Sequence, residues 1–230
     1  MDPFVLFQDN ALVAINKPSG MIVHRGWAND RETAMSLVRD RLGQKVYPVH
    51  RLDRGTSGVL LLALSPDVAR AVQEALQGGL VEKRYLTLVR GIPPSSGTID
   101  HAVPRVPKGE RVHAVTDFRR LAVFERYALV EARPRTGRLH QIRRHMKHKS
   151  WHVIGDVNYG KGEHNRLFRQ RFGLHRLALH ALVLKLPHPT TREMLCLTAP
   201  LPADLARPLM TMGLMKCSVP DGSQKSYRPE

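Results

Sequence analysis

His50-Arg51-Leu52-Asp53-Arg54-Gly55-Thr56-Ser57-Gly58-Val59-Leu60-Leu61-Leu62-Ala63 sets one carboxylate between two arginines, beside a Thr-Ser-Gly turn, and then runs straight into apolar residues. Val59 to Ala63 has the length and composition of a buried strand. Asp53 therefore stands at the mouth of such a strand, in a chain of formal net charge +16. Flanking guanidinium groups fix the direction of an ionised acid, as a carboxylate nucleophile requires.

Working outward, Phe4 to Phe7 and Leu12 to Ile15 read as two short strands joined at Asp9-Asn10. Lys17-Pro18-Ser19-Gly20 opens a polar loop running to about Arg31. Thr33 caps a helix in which Ala34, Leu37, Val38 and Leu42 share a face, and Gly43 ends it. After the apolar run, Ser65 caps a second helix with Pro66 at its first position, where the missing N–H costs nothing. Val68, Ala69, Val72 and Leu76 form its buried stripe, and Gly78-Gly79 stops it.

Tyr85 to Val89 returns as a strand, residues 92–117 read as irregular, and Ala122-Val123-Phe124 with Ala128-Leu129-Val130 make a hairpin around Arg126. His140 to Lys147 starts a helix, and Asn165 to Phe172 forms a short basic one ending at Gly173. Leu179 to Leu186 and Met194 to Leu197 make a late hairpin, and Pro202 to Met212 a last helix. Short connections and strands pairing in sequence order give an α+β fold, a mostly antiparallel mixed sheet with flanking helices.

At 230 residues the chain suits one catalytic domain. Lys and Arg number 36 against 20 acids, a balance that favours a polyanionic partner, nucleic acid ahead of acidic lipid. Cys196 and Cys217 are too few for a disulfide framework, and a reducing cytoplasm is the expected setting. Met1-Asp2-Pro3-Phe4 does not read as a signal peptide, and no apolar stretch approaches the ~20 residues needed to span a bilayer. The 12 histidines include His140, His145 and His148 at near-helical spacing, without a carboxylate or cysteine to complete a ligand pattern. No metal site is expected there. Lys161-Gly162-Glu163 lacks the frame of a phosphate loop.

The run around Asp53 resembles the signature of the RluA-type pseudouridine synthase family, His-Arg-Leu-Asp-x-x-Thr-Ser-Gly followed by leucines. Three further stretches carry the resemblance in the family's order. They are Lys83-Arg84-Tyr85-Leu86-Thr87-Leu88-Val89-Arg90-Gly91, then Thr136-Gly137-Arg138-Leu139-His140-Gln141-Ile142-Arg143-Arg144-His145, then Leu179-His180-Ala181 with His188-Pro189. Gly55 and Val59 are small departures, where proline and leucine are frequent in the family.

The resemblance implies the pseudouridine synthase fold, with a cleft across the sheet, and the isomerisation of a uridine in RNA without metal or cofactor. It implies Asp53 as nucleophile, Arg143 as its partner through a forked hydrogen bond, and Tyr85 stacked on the target uracil. Arg51 would fill the gap left when the nucleotide swings out of its helix. Arg54, Arg138, His140 and Arg144 in the same motifs are expected to touch RNA, whereas His50 and His180 are expected to hold backbone around the cleft. Many relatives begin with an S4 RNA-binding module. Here the catalytic pattern starts near residue 4, so residues 1–213 are expected to form the catalytic domain without that module, followed by a polar tail at 214–230.

Gly155-Asp156-Val157-Asn158-Tyr159-Gly160, Glu163-His164-Asn165-Arg166 and Gly173 to His180 resemble the branch of the family that modifies uridine 65 in the T arm of tRNA. Arg166, Arg169 and Arg171 would then belong to a phosphate-contacting helix. A cytoplasmic monomer acting on tRNA is expected. The competing readings are a synthase for ribosomal RNA, or for both RNAs, and an RNA chaperone.

Overall fold

The computed structural model describes residues 4–24, 32–106 and 109–215. Strands β1 (Val5–Gln8) and β2 (Leu12–Lys17) form a hairpin turned by Asp9. The Asp9 carboxylate accepts the N–H groups of Ala11 and Leu12 at 2.8 and 2.7 Å. Helix α1 (Ala34–Leu42), strands β3 (Tyr47–Pro48) and β4 (Ser57–Ala63), helix α2 (Pro66–Gln77) and strand β5 (Glu82–Arg90) follow. Then come β6 (Ser96–Asp100), β7 (Val103–Pro104), β8 (Arg111–Val112), β9 (Val115–Phe124), β10 (Tyr127–Pro134), α3 (Gln141–His148), α4 (Gly162–Phe172), β11 (Leu179–Pro187), β12 (Met194–Thr198) and α5 (Ala203–Thr211).

Local chemistry places the helix ends. Thr33 and Ser36 make a reciprocal capping box at α1, with bonds of 3.0 and 2.9 Å, and Gly43 closes the helix at φ 65°. At α2 the Ser65 hydroxyl accepts from the Val68 N–H, and Pro66 occupies the first turn. Each such cap is worth about 1 kcal/mol.

The main sheet runs β1-β2-β4-β11-β5-β10-β9-β6, with β12 beside β11 and β3 beside β4. Among the described residues, β4 and β11 are its parallel pair and the other pairings are antiparallel, so the fold is α+β as expected. Pairing in sequence order holds for the outer hairpins and fails at the centre. There β11, from late in the chain, lies between β4 and β5. Every residue of β4 is buried, the mark of a central strand, and α2 spaces β5 one strand away rather than alongside. Gly58 marks the close passage of β4 against β11. Its φ is +112°, and a Cβ there would overlap the Ala181 carbonyl.

Alternation along the strands sorts the helices between the two faces. Val59, Leu61 and Ala63 pack with Ala69 and Val72 of α2, whereas Leu60 and Leu62 pack with Ala34 and Val38 of α1. On β5, Leu86 and Leu88 meet Phe168 of α4 and Leu205 and Leu209 of α5, while Tyr85 and Val89 turn to Ile142 and Met146 of α3.

Residues 92–117 are more regular than expected, holding β6 and the β7–β8 ladder. Within β6 only Ile99 is buried, so this edge strand carries no alternating apolar signal. Helix α4 begins at Gly162, three residues ahead of the expected Asn165. The loop residues 25–31, Cys217 and nearly all of the expected 214–230 tail lie outside the described residues.

Candidate active site

Asp53 sits in the loop between β3 and β4, and buried polar contacts hold that loop from behind. Neutral His50 accepts the Leu61 N–H through Nε2 at 3.0 Å, its pKa pushed down to about 4 by burial and then by the charge of Lys83. Lys17 has no exposed surface, and its Nζ donates to the carbonyls of Pro18, Met21 and Arg54 at 2.8, 2.7 and 3.3 Å. Burial brings the Lys17 pKa down to about 7, with Arg176 adding to the effect and Asp53 opposing it. Behind the turn, the Ser57 hydroxyl donates to His180 Nδ1 at 2.8 Å and accepts from Arg176 Nη2 at 2.6 Å. His180 Nε2 donates to the Ala199 carbonyl at 3.1 Å, and burial lowers this pKa also to about 4. His50 and His180 thus hold backbone and loop, as expected.

The Thr136-Gly137-Arg138 turn is fastened through Gln141. Its Oε1 accepts from Thr136 Oγ1 and Arg138 N, at 2.7 and 3.0 Å, while Nε2 donates to Val115 O and Thr116 Oγ1, both at 2.9 Å. That anchor starts α3 from His140, whose φ is 54°, and aims Arg143 at Asp53.

Arg143 Nη1 donates to Asp53 Oδ2 at 2.9 Å, so the expected pair forms. The forked bond goes elsewhere. Arg143 Nε and Nη2 grip Asp156 Oδ2 and Oδ1 at 2.7 and 2.8 Å, and Asp156 also accepts the N–H groups of Asn158 and Tyr159 at 3.0 Å. The Asp156 side chain is wholly buried, which alone would raise its pKa; Arg143 and the two N–H donors outweigh burial and lower it. Burial also opposes the charge on Arg143, but Asp156 and then Asp53 raise its pKa overall. A planar guanidinium serves two carboxylates at once, a task lysine lacks the geometry for.

His140 Nε2 lies 3.7 Å from Asp53 Oδ1, and its Nδ1 meets the Tyr159 hydroxyl at 3.0 Å. That hydroxyl accepts from Arg144 Nε at 3.0 Å, which leaves its own proton for His140 Nδ1 and turns Nε2–H toward Asp53. The His140 pKa is lowered, by burial first and by Arg143 and Arg144, against the pull of Asp53. Tyr85 is half-buried, and burial followed by the Asp53 charge pushes its phenol up, so the hydroxyl keeps its proton at neutral pH.

Asp53, Tyr85, His140 and Arg143 line one cavity of about 640 Å³, together with Arg51, Lys83 and Arg138. Its size lies within the ~300–1,000 Å³ of sites that enclose small-molecule groups. Arg51 is exposed at its edge, and Arg138 donates to the His113 carbonyl at 3.1 Å. Four expected RNA contacts, Arg54, Arg144, Arg166 and Arg169, stand outside the lining. Arg54 reaches the Gly20 carbonyl at 3.4 Å, and Arg144 is held by the Tyr159 hydroxyl and the Pro104 carbonyl at 3.0 and 2.6 Å. Exposed Arg166 and Arg169 border a separate hollow of about 340 Å³ that Asp156 also lines. Arg171 pairs with Glu125 at 2.8 Å. Among the described residues, no group of three or more His, Cys, Asp or Glu side chains could hold a metal ion, and no helix is long and apolar enough to cross a membrane.

Residues 11–148 match the family described as RNA pseudouridylate synthase. The chain is 42% identical over 218 positions to tRNA pseudouridine synthase C of Vibrio parahaemolyticus, covering 85% of this chain and 89% of that one. It is 42% identical over 222 positions to the protein of that name from Haemophilus ducreyi, covering 86% and 91%. Among solved structures, Human RNA Pseudouridylate Synthase Domain Containing 4 superposes with a TM-score of 0.75 at 30% identity, covering 91% of this chain and 92% of that one. Human RNA Pseudouridylate Synthase Domain Containing 1 gives 0.72 at 26% identity, covering 86% and 83%. The chain belongs to the RNA pseudouridylate synthase family, and it is an enzyme that turns uridine into pseudouridine in RNA.

Proposed function

We propose that this enzyme acts on tRNA, at uridine 65 of the T arm, with Asp53 as nucleophile on a base turned out into the cleft. The observation that carries the reading is the Asp53 carboxylate, pinned at 2.9 Å by Arg143 on the wall of a cavity with room for a nucleobase, which Tyr85 also lines. Two relatives named tRNA pseudouridine synthase C, each matched over most of its length, support the choice of RNA.

In this reading Arg143 directs Asp53, and Tyr85 stacks on the uracil with its protonated hydroxyl as a polar handle. Arg51 fills the place vacated by the everted nucleotide, and His140 and Arg138 meet its sugar-phosphate. Arg166 and Arg169 extend the phosphate-binding face toward the rest of the tRNA. Arg54 and Arg144 serve as braces for the Asp53 loop and for Tyr159. Residues 1–213 are the catalytic unit, working as a monomer in the cytoplasm. The reaction moves the glycosidic link from N1 to C5, oxidises nothing and consumes no donor, so no cofactor enters.

Pseudouridine mapping in tRNA and ribosomal RNA of a strain deleted for this gene tests the assignment. Position 65 of tRNA should revert to uridine. A retained pseudouridine there, with one lost from ribosomal RNA, would move the enzyme to the other substrate.

A further inference from the structure

Lys83 is the cation of the cleft that the sequence motifs leave without a task. It lies on β5 two residues before Tyr85, so both side chains leave the same face of the strand, and both line the cavity with Asp53. Its ammonium lies 3.8 Å from where a Cβ on Gly137 would stand, and nothing else occupies that space within 4 Å. On the other side its charge reaches His50. Lys83 is therefore suspended between the Asp53 loop and the Thr136-Gly137-Arg138 turn.

The neighbouring cations are spoken for or lie at the rim. Arg143 serves Asp156 and Asp53, Arg135 is forked onto Asp117 at 2.6 and 2.9 Å, and Arg138 holds the His113 carbonyl. Arg51 and Arg105 are exposed. Lys83 is sheltered, and among the described residues it has no hydrogen-bond or ion-pair partner. Burial draws its pKa downward, so a sheltered ammonium here gains by meeting a negative charge.

We propose that Lys83 is a catalytic residue that hydrogen-bonds the uracil ring and receives the negative charge released onto it when the glycosidic bond breaks. This rests on the reading of Asp53 and Tyr85 given above. As an Asp53 carboxylate oxygen bonds to C1′, the N1–C1′ bond breaks and its electron pair goes to N1, from which it spreads onto the O2 and O4 carbonyl oxygens. Lys83 keeps its protons and donates a hydrogen bond to one of these oxygens. C5 then attacks C1′ and displaces the Asp53 carboxylate, which leaves with its bonding pair. The C5 proton passes to solvent water and N1 takes one up from it, so atoms and electrons balance. A preorganised donor aimed at charge that appears only during reaction favours the transition state over bound substrate.

The test is single-turnover tritium release from tRNA carrying C5-tritiated uridine, alongside tRNA affinity by filter binding. Lys83→Met should slow the rate at saturating tRNA by about 100-fold, the usual effect of removing one such donor, with affinity within about threefold. Lys83→Arg should restore at least about tenfold, because it returns the charge. A full rate with weaker binding and a shallower salt dependence would make Lys83 a phosphate clamp and overturn the proposal. Should Lys83→Met fold poorly by thermal melt, Lys83→Gln takes its place, read with 5-fluorouridine tRNA. Fluorine already stabilises the detached uracil anion, so the ratio of wild-type to variant rates for loss of the N-nucleoside should shrink. An unchanged ratio also overturns the assignment. Asp53→Asn run in parallel separates the two ideas: an active Asp53→Asn enzyme defeats the reading of the whole site, and an active Lys83→Met beside a dead Asp53→Asn defeats Lys83 alone.

Discussion

Asp156 grips Arg143 by two prongs, Nε to Oδ2 at 2.7 Å and Nη2 to Oδ1 at 2.8 Å, and leaves Nη1 to face Asp53. The wholly buried carboxylate works as a vice on one edge of the guanidinium. The direction of the bond to Asp53 then follows from the backbone that positions Asp156. Asp156→Asn should break this hold, because an amide turns one NH₂ against the guanidinium. Single-turnover tritium release should fall at least about tenfold with tRNA affinity little changed, and stability should drop by on the order of 3 kcal/mol in urea unfolding. A variant with the full rate would mean that Asp53 needs no such support.

Arg143→Lys tests geometry apart from charge. Lysine can reach one carboxylate but cannot form the fork and the third bond together. The lysine and leucine variants should be nearly equal in lost activity, each with modest loss of tRNA binding. Substantial activity in Arg143→Lys would show that charge alone suffices.

Gly58→Ala probes the β4–β11 contact. The φ of +112° and the overlap with the Ala181 carbonyl leave no room for a methyl group. The variant should lose more than about 3 kcal/mol and melt at least several degrees lower, with activity falling as the Asp53 loop shifts. A melting temperature equal to that of the parent would contradict the register of Gly58 against Ala181.

Acid sensitivity follows from His50 and His180. Both have folded pKa values of about 4 against 6.5 for an ordinary histidine. Between those values the unfolded chain binds protons that the folded chain refuses, so stability falls as pH drops from 6.5 to 4 and levels off below. The slope approaches about 1.4 kcal/mol per pH unit for each group at most. Urea midpoints at pH 7.5, 6, 5 and 4 measure it, and His180→Gln should flatten the curve. A midpoint constant across that range would mean that neither ring is held neutral.

Phosphate contact by α4 has a salt signature. Replacing Arg166 and Arg169 together by alanine should weaken tRNA binding and reduce the slope of log affinity against log salt by about 1 to 2. An unchanged slope would place both arginines outside the RNA interface.

Much of this architecture can be read along the chain, and the reasons for the gaps are physical. Caps at Thr33 and Ser65, the apolar run Val59 to Ala63 within β4 and the β9–β10 hairpin rest on local signals, and they stand where those signals put them. Asp53, Arg143 and Tyr85 meet around one cavity because each lies in a motif. Lys17 and Arg176 escape because a buried cation satisfied by carbonyls or a hydroxyl looks, in one dimension, like a surface charge. Asp156 lies in a stretch that resembles the tRNA branch, and nothing local assigns it to Arg143. The seat of β11 depends on which strands have free edges after folding, and neighbouring residues do not encode that.

The position of β11 bears on how the enzyme is made. β4 and β5 leave the ribosome well before Leu179, and their inner edges await a strand still to be translated. Until it docks, the nascent chain carries two open ladders that invite wrong pairing or a chaperone. A transcript cut short after β10 would still encode Asp53, Tyr85 and their opposing faces, yet yield two half-sheets with no keystone between them.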